Sequence, residues 1–114
     1  MESPSVRGVV VRFRVENTAG GNPSWWLHSS NGQQVAWAGE TFASLSNAKR
    51  AAKAFQAGAE AATFEVYEDK GGKYRWRAVR NGKIVASSGE AFASKSNANR
   101  AANNVQSKVG DAEL

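Results

Sequence analysis

The segment from Lys70 to Lys83 holds the residues whose types and spacing could most directly do chemistry. It carries six basic residues and no acidic one, interleaved with Tyr74 and Trp76. Arginine side chains beside aromatic rings on an open sheet can hold a phosphate backbone while a base stacks on a nearby ring, here Trp25. The same pattern arises when Tyr74 and Trp76 lie in the core and the basic residues form the solvated side of a strand. Alternation alone favours this second interpretation.

A second basic group lies on a predicted helix, where Lys49, Arg50 and Lys53 form a compact ridge. A ridge beside a helix N-terminus can bind phosphate or sulfate, although an ordinary solvated helix face has the same sequence pattern. The hypothesis of a sequence-tolerant nucleic-acid binder therefore rests on the basic residues Arg12, Arg14, Lys49, Arg50, Lys53, Lys73, Arg75 and Arg77.

Three tryptophans fall within one predicted hairpin, and such a cluster can anchor a protein partner. Trp26 is expected in the core, with Trp37 packed on it across the hairpin. Trp25 points to the opposite side of the sheet and is the aromatic residue expected to act at a surface. The residues predicted to bind a protein partner are Trp25, Leu27, Arg75 and Arg77.

No set of residues in the sequence forms a catalytic or metal-binding constellation. There is no Cys, and the single histidine, His28, is expected on the core side opposite Val35. Glu40 and Glu90 recur in equivalent loops, which a duplication explains without a catalytic role. We expect a non-enzymatic protein with no cofactor, no metal and no small-molecule substrate.

The elements that position these residues come from an internal duplication. Residues 26–52 return as residues 76–102, with sixteen of twenty-seven aligned positions identical. Most of the retained residues are apolar, turn-forming or helix-capping, so they specify a fold rather than a chemistry. A unit of about fifty residues without disulfide or metal is near the lower limit of independent stability, so the two copies are expected to share one core.

Each copy has the pattern of three strands followed by a helix. An Asn-Gly pair, Asn31-Gly32 or Asn81-Gly82, predicts a type I′ turn in each hairpin. The copies differ by one residue before the hairpin, and this slip is expected in the preceding turn, near Asn22-Pro23. The predicted cross-strand pairs include Trp26 with Trp37, His28 with Val35, Arg80 with Lys83, Val79 with Ile84, Ala78 with Val85 and Trp76 with Ser87. The predicted helix caps and stops are Ser44 or Ser46 with Gly58, and Ser94 or Ser96 with Gly110.

The sequence therefore predicts an α+β fold in which two tandem βββα repeats merge into one antiparallel sheet with both helices on one face. The expected limits are a disordered tail at 1–8, repeats at 9–58 and 59–108, and a disordered tail at 109–114. The sheet face away from the helices is left open. By alternation it is expected to carry Arg12, Arg14, Trp25, Leu27, Ser29, Arg75, Arg77 and Val79.

The second copy closely resembles the YegP-like family of short tandem domains. The resemblance is carried by the segments 64–67 and 74–77, the turn at Asn81-Gly82, Ser88-Gly89-Glu90 and Ser94-Lys95-Ser96. It extends over roughly residues 9–108, with the first copy as a diverged member. It implies a βββα unit used in pairs, either as tandem repeats or as two single-unit subunits, and joined through a common sheet. It implies no activity, because the family has no assigned function.

The formal net charge of +5 favours polyanionic partners without identifying one. No signal peptide or membrane span is expected, and we predict a soluble, cytoplasmic protein. Two functions remain open. The first is a small interaction module that binds a protein, including a second copy of itself, through the open sheet face or a sheet edge. The alternative is nucleic-acid binding through the basic residues and the tryptophans of the same face.

Overall fold

The computed structural model describes residues 11–114. Within this range three strands and a helix follow one another in each half of the chain, as predicted. The first half comprises β1 (Arg12–Asn17), β2 (Pro23–His28), β3 (Gln34–Trp37) and α1 (Leu45–Gly58). The second half comprises β4 (Thr63–Glu68), β5 (Tyr74–Arg80), β6 (Lys83–Ser87) and α2 (Lys95–Lys108). A 3₁₀ turn follows each helix, at Ala59–Ala61 and Val109–Asp111.

The strands form one antiparallel sheet in the order β1-β2-β3-β6-β5-β4. The two halves meet at the centre, where Trp37 of β3 pairs with Ser87 of β6. Phe55 of α1 and Val105 of α2 lie in the same hydrophobic core, so both helices cover one face of the sheet. The predicted α+β architecture is therefore confirmed. We call the opposite sheet face, which no described element covers, the outer face.

The helices form where the sequence places caps and small apolar residues. The side chains of Ser44 and Ser94 accept hydrogen bonds from the backbone N–H groups of Asn47 and Asn97, each at 3.1 Å. Alanines line the buried side of each helix, which lets the helix lie close to the sheet. The helix α1 ends at Gly58 as expected, whereas α2 ends two residues before Gly110.

The two Asn-Gly pairs form different turns. Asn81 and Gly82 have φ values of 54° and 78°, which confirms the type I′ turn in the second hairpin. In the first hairpin Gly32 has positive φ but Asn31 does not. There the C=O of Ser29 accepts the N–H of Gly32 at 2.9 Å, and the N–H of Ser29 donates to Gln33 at 2.9 Å. This is the longer loop that ends with a glycine in the left-handed region.

This longer loop corrects the predicted position of the slip between the copies. The extra residue lies between Leu27 and Asn31, at the hairpin end of β2, and not near Asn22-Pro23. The cross-strand partners show it: Val15 pairs with Trp25 in the first copy, and Val66 pairs with Trp76 in the second. Trp25, and not Trp26, is therefore the structural counterpart of Trp76.

A register shift in each hairpin changes part of the predicted pairing. Arg80 pairs with Lys83 and Val79 with Ile84 as predicted, but the shift between Ala78 and Val79 moves the next pair, so that Ala78 faces Ala86 instead of Val85. Trp26 faces Trp37 as predicted, whereas His28 faces Gln34 instead of Val35. In both hairpins the alternation of side chains between the two faces of the sheet restarts at the bulge. Counting residues outward from the turn cannot detect such a bulge.

The residues after α2 are ordered, unlike the disordered tail expected at 109–114. Val109 and Ala112 are buried, and Glu113 exchanges backbone hydrogen bonds with Val11 and Phe13 beside β1. The Gln56 side chain donates to the carbonyls of Val109 and Ala112, at 3.1 and 2.8 Å, which fixes this end against α1. Gln106 of α2 contacts the 3₁₀ turn after α1 in the equivalent way. The tail expected at 1–8 lies outside the described residues.

Candidate functional site

Two of the residues predicted to bind a partner are in the core. The Trp25 side chain is fully buried, stacked on Phe55 at 5.3 Å between ring centroids and packed edge-on against Phe13. Leu27 is also fully buried. The prediction that Trp25 and Leu27 lie on the outer face is wrong, because it assumed that Trp26 aligns with Trp76. Neither side chain can contact a partner in this fold.

The tryptophans on the outer face are Trp26 and Trp37. Trp26 is directly opposite Arg14 of β1 on one side and Trp37 of β3 on the other. Directly opposed residues of neighbouring strands share a face, and Arg14 is exposed. Both tryptophans are partly exposed, so two large aromatic side chains lie next to each other near the middle of an uncovered sheet.

One line of directly opposed residues crosses all six strands on this face. It runs Arg14, Trp26, Trp37, Ser87, Arg77 and Glu65. We call these six residues the transverse row. With neighbouring strands about 4.8 Å apart, the row is about 24 Å long. Its two halves differ: the half in the first copy has two aromatic rings, and the half in the second copy has a small residue and an ion pair.

Arg75 and Arg77 lie on the outer face as predicted, and both are held by carboxylates. The Nε atom of Arg75 is 2.9 Å from Oδ2 of Asp69, and that of Arg77 is 3.0 Å from Oε1 of Glu65. The Arg77 guanidinium also lies over the Tyr67 ring, 4.8 Å from its centroid. These guanidiniums are already hydrogen-bonded within the protein, which lowers their availability to a phosphate.

Arg12 and Arg14 of β1 also lie on the outer face and also have acidic partners. Arg12 is 3.1 Å from Glu113, and Arg14 is 3.2 Å from Glu16. All four side chains are more than half exposed, so these pairs add little to stability. They do balance the charge: each of the four arginines on the outer face has a carboxylate partner. Among the described residues, the arginines of this face therefore do not form a strip of unpaired positive charge.

Asp69 shows what Arg75 does in the fold. The Asp69 side chain accepts hydrogen bonds from the backbone N–H groups of Gly71 and Lys73, at 2.9 and 3.0 Å, and so holds the turn between β4 and β5. The Arg75 guanidinium, and next the Lys73 N–H, hold the pKa of this carboxyl below its ordinary value. Arg75 therefore has a structural role in this turn, while the Lys73 side chain is exposed.

The ridge Lys49, Arg50 and Lys53 lies on the other side of the molecule. All three residues are exposed on α1, which contains no acidic residue. Arg50 donates to the Asn47 side chain at 3.1 Å, and none of the three forms an ion pair with a described carboxylate. Because α1 covers the inner face of the sheet, the structure does not bring this ridge together with Arg12, Arg14, Arg75 and Arg77.

Each helix forms a cleft with the hairpin of the other copy. The first, about 340 Å³, lies between α1 and the β5–β6 hairpin and contains Glu40 and Arg80. The second, about 270 Å³, lies between α2 and the β2–β3 hairpin and contains Glu90 and Lys108. The recurring glutamates are therefore in separate clefts and do not form a carboxylate pair.

His28 lies on the outer face opposite Arg12, and not on the predicted core side. It is partly buried, and its Nδ1 atom has no hydrogen-bond partner among the described residues. Residues 11–114 contain no cluster of His, Asp and Glu that could hold a metal ion. No helix in this range is long and apolar enough to cross a bilayer.

Trp26 and Trp37 are the residues that sequence reasoning missed as surface residues. A signal for them was present: the spacing that aligns Phe13 with Phe64 also aligns Trp25 with Trp76 if it is continued through β2. This alignment leaves Trp26 at the position of Arg77, on the outer face. The identity of Trp26 and Trp76 in the alignment of residues 26–52 with 76–102 favoured pairing these two residues instead of Trp25 and Trp76.

Comparisons with known proteins agree with this fold. A family described as a domain of unknown function, DUF1508, matches residues 69–114, which is most of the second copy. No protein with a curated description matches the sequence. The solution NMR structure of yegP from E. coli, a protein of unknown function, is similar with a TM-score of 0.77 and 16% identity, covering 93% of this chain and 91% of that one. A UPF0339 protein from Shewanella oneidensis is similar with a TM-score of 0.74 and 15% identity, covering 90% and 89%.

These matches define a class of paired βββα domains and confirm the resemblance to the YegP-like family. The second copy matches the DUF1508 domain, and the described part of the chain has the fold of the yegP structure. The matched family is described as a domain of unknown function.

Proposed function

We propose that this protein is a non-enzymatic interaction module that binds a protein partner through the outer face. The observation that carries the proposal is the position of Trp26 and Trp37, which lie partly exposed side by side near the centre of a sheet face that no described element covers. Tryptophan is among the residues that contribute most to protein interfaces when a partner buries it.

The surroundings of the tryptophans support a protein partner over a polyanion. Arg14 and Arg77 flank them along the transverse row, and each is neutralised by a carboxylate of the same sheet. An aromatic centre with a polar, charge-balanced rim is the usual anatomy of a protein interface. A phosphate backbone would have to compete with these carboxylates for each guanidinium.

The second copy supplies a matched variant for the test. Arg77 and Ser87 occupy the positions of Trp26 and Trp37, so the fold already accommodates arginine and serine there. The double variant Trp26→Arg/Trp37→Ser is therefore expected to fold while losing the partner. A photo-crosslinking amino acid at Ser87, in cells that express the full chain, is expected to form a protein adduct that the double variant abolishes.

The control places the same crosslinker at Ser46, an exposed position on α1. An adduct at Ser87 that is absent at Ser46 and absent in the double variant supports binding through the outer face. Equal adducts at both positions, or an adduct that the double variant leaves unchanged, would contradict it.

Nucleic-acid binding is the second candidate function, and one observation favours it. The cations without carboxylate partners include Lys49, Arg50 and Lys53 on α1, so the basic interface would be this ridge and not the sheet. The second copy has asparagine at the positions of two of them, Asn99 and Asn103. The variant Lys49→Asn/Lys53→Asn is then expected to flatten the salt dependence of binding to a short single-stranded oligonucleotide, by about one unit of log–log slope for each lysine lost. Arg75→Ala/Arg77→Ala is expected to leave that slope unchanged, and absence of binding at low salt would eliminate this function.

A further inference from the structure

We propose that the partner of the outer face is a second copy of this chain, bound so that the two sheets stack face to face in a symmetric dimer. This inference rests on the proposed function, because it names the partner of the same surface. It is carried by the order of the side chains along the transverse row, which is complementary to its own reverse.

Consider a twofold axis that lies between the two sheets, parallel to the strands, and passes over the middle of the row between Trp37 and Ser87. This axis places the transverse row of one copy against the transverse row of the other copy in reverse order. In such a contact each residue meets a different residue of the partner, and the same contact occurs twice. The row crosses all six strands without interruption, so its reversal aligns every strand of one sheet with a strand of the other.

The ends of the reversed rows have opposite charges. Arg14, on β1, faces Glu65 of the partner subunit, on β4. Both side chains are long and accessible, with 63% of the Arg14 side chain and 44% of the Glu65 side chain exposed. Two such contacts form, one at each end of the row, and each brings together charges that are held in separate ion pairs within a monomer.

The inner positions also match. Trp26 faces Arg77 of the partner subunit, which places a guanidinium on the face of an indole ring. Trp37 faces Ser87 of the partner subunit, so a large ring lies against a small side chain. The half of each row that contains the two tryptophans is thereby covered by the half of the other copy's row that contains the smaller Ser87. Four partly exposed tryptophan side chains, two from each copy, are removed from water.

The other symmetric arrangement is disfavoured by the same residues. An axis perpendicular to the strands would place Arg14, Arg77 and Glu65 each on the same residue of the other copy, so that like charges meet at three of the six positions of the row. The order of the residues therefore selects one orientation of the second copy, because like charges in contact are costly.

The size of the face indicates a weak dimer. Twisted sheets that stack face to face lie about 10 Å apart and cross at about 30°, so the ends of the two rows are displaced by roughly 6 Å, which arginine and glutamate side chains can bridge. A patch about 24 Å wide and about 17 Å along the strands covers roughly 400 Å² per copy, or roughly 800 Å² in total, which is below the range of stable interfaces and in the range of weak, transient ones. We therefore expect association with a dissociation constant on the order of 10 to 100 µM.

Sedimentation equilibrium of the full chain between about 5 µM and 1 mM, a range that brackets this constant, tests the dimer. The unmodified chain is expected to change from monomer to dimer across the range. The variant Trp26→Arg/Trp37→Ser is expected to stay monomeric at every concentration, with unchanged circular dichroism.

Two charge reversals test the orientation. Arg14→Glu and Glu65→Arg each install the residue that the other copy has at the equivalent position. Each variant alone places like charges at both ends of its homodimer, and its dissociation constant is expected to rise at least tenfold. An equimolar mixture places opposite charges at both ends of a heterodimer, so association is expected to return to that of the unmodified chain.

The outcomes separate this inference from the proposed function. A chain that remains monomeric at the highest concentration, while the crosslinker at Ser87 captures a different protein, overturns the self-association and leaves the interaction module intact. A monomer with no adduct overturns both. A dimer that ignores the tryptophan variant, or charge variants that do not recover on mixing, overturns the face-to-face arrangement.

Discussion

Replacing Trp25 and Trp26 one at a time gives a direct test of which tryptophan belongs to the core. The two residues are neighbours in sequence and differ only in the face to which they point. Trp25 is fully buried against Phe55 and Phe13, whereas Trp26 is partly exposed beside Trp37. The sequence alone favours the opposite assignment, because Trp26 sits in the better aligned position.

The expected loss for Trp25→Ala follows from its burial. A buried tryptophan removes roughly 150–250 Å² from water, worth about 4–6 kcal/mol at about 25 cal/mol per Å². This is an upper value, because the unfolded chain already buries part of that surface. Measured large-to-small replacements of this kind cost about 3–5 kcal/mol. For a small domain with about 5–15 kcal/mol of total stability, Trp25→Ala is expected to remove a large share of it.

Urea unfolding followed by circular dichroism measures the difference. Trp25→Ala is expected to lower the free energy of unfolding by about 3 kcal/mol or more, and Trp25→Phe by less because a phenyl ring still packs on Phe55. Trp26→Arg, matched to Arg77 of the second copy, is expected to change it by less than about 1 kcal/mol. If Trp26→Arg were as costly as Trp25→Ala, the alignment of Trp25 with Trp76 and the whole outer face described here would be wrong.

Three further predictions concern single contacts. Asp69→Asn should lower stability at neutral pH. Because the pKa of Asp69 in the folded protein is lowered, its carboxylate stabilises the fold above its ordinary pKa, and the difference between variant and unmodified chain should shrink only as the pH falls below about 4 and the carboxylate is protonated. Urea unfolding at pH 7 and at successively lower pH values below about 4 would show this. Gln56→Ala removes side-chain hydrogen bonds to two carbonyls of the chain end, and should cost about 1–2 kcal/mol in urea unfolding and speed amide exchange at Glu113. Gly82→Ala should cost about 1 kcal/mol because φ is +78° there, whereas Gly110→Ala, with nothing near its Cβ, should cost less; equal thermal midpoints would contradict the type I′ turn.

The architecture could be predicted because both copies of the duplicated unit carry the same sequence signals. Serine caps before alanine-lined helices, strand alternation and short connections are local signals with one structural solution each, and all of them hold in both copies. Two units near the lower limit of independent stability are expected to share a core, which leads to a merged sheet with both helices on one side. Arg75 and Arg77 could be placed on the outer face because strand β4 and the first residues of β5 have no bulge.

The candidate site could not be predicted in full because one inserted residue decides which tryptophan faces the core. Asn31-Gly32 and Asn81-Gly82 are the same dipeptide, yet one forms a type I′ turn and the other ends a longer loop. A change of one residue reverses the side of every residue in a strand. The ion pair between Arg12 and Glu113 could not be predicted either, because these residues meet only through the packing of the chain end on β1.

The outer face is also where the two copies differ most. At some buried positions the copies keep the same side chain, as Trp25 and Trp76 do, whereas Leu27 and Phe55 are replaced by other apolar residues, Ala78 and Val105, because one core has to be filled from both sides. At the uncovered positions no such requirement applies, and Trp26 and Trp37 face solvent where the second copy has Arg77 and Ser87. A perfectly repeated row would meet only like residues when reversed. The transverse row therefore has two different halves because these positions have diverged. A second copy can bind face to face because each half meets the other, complementary half.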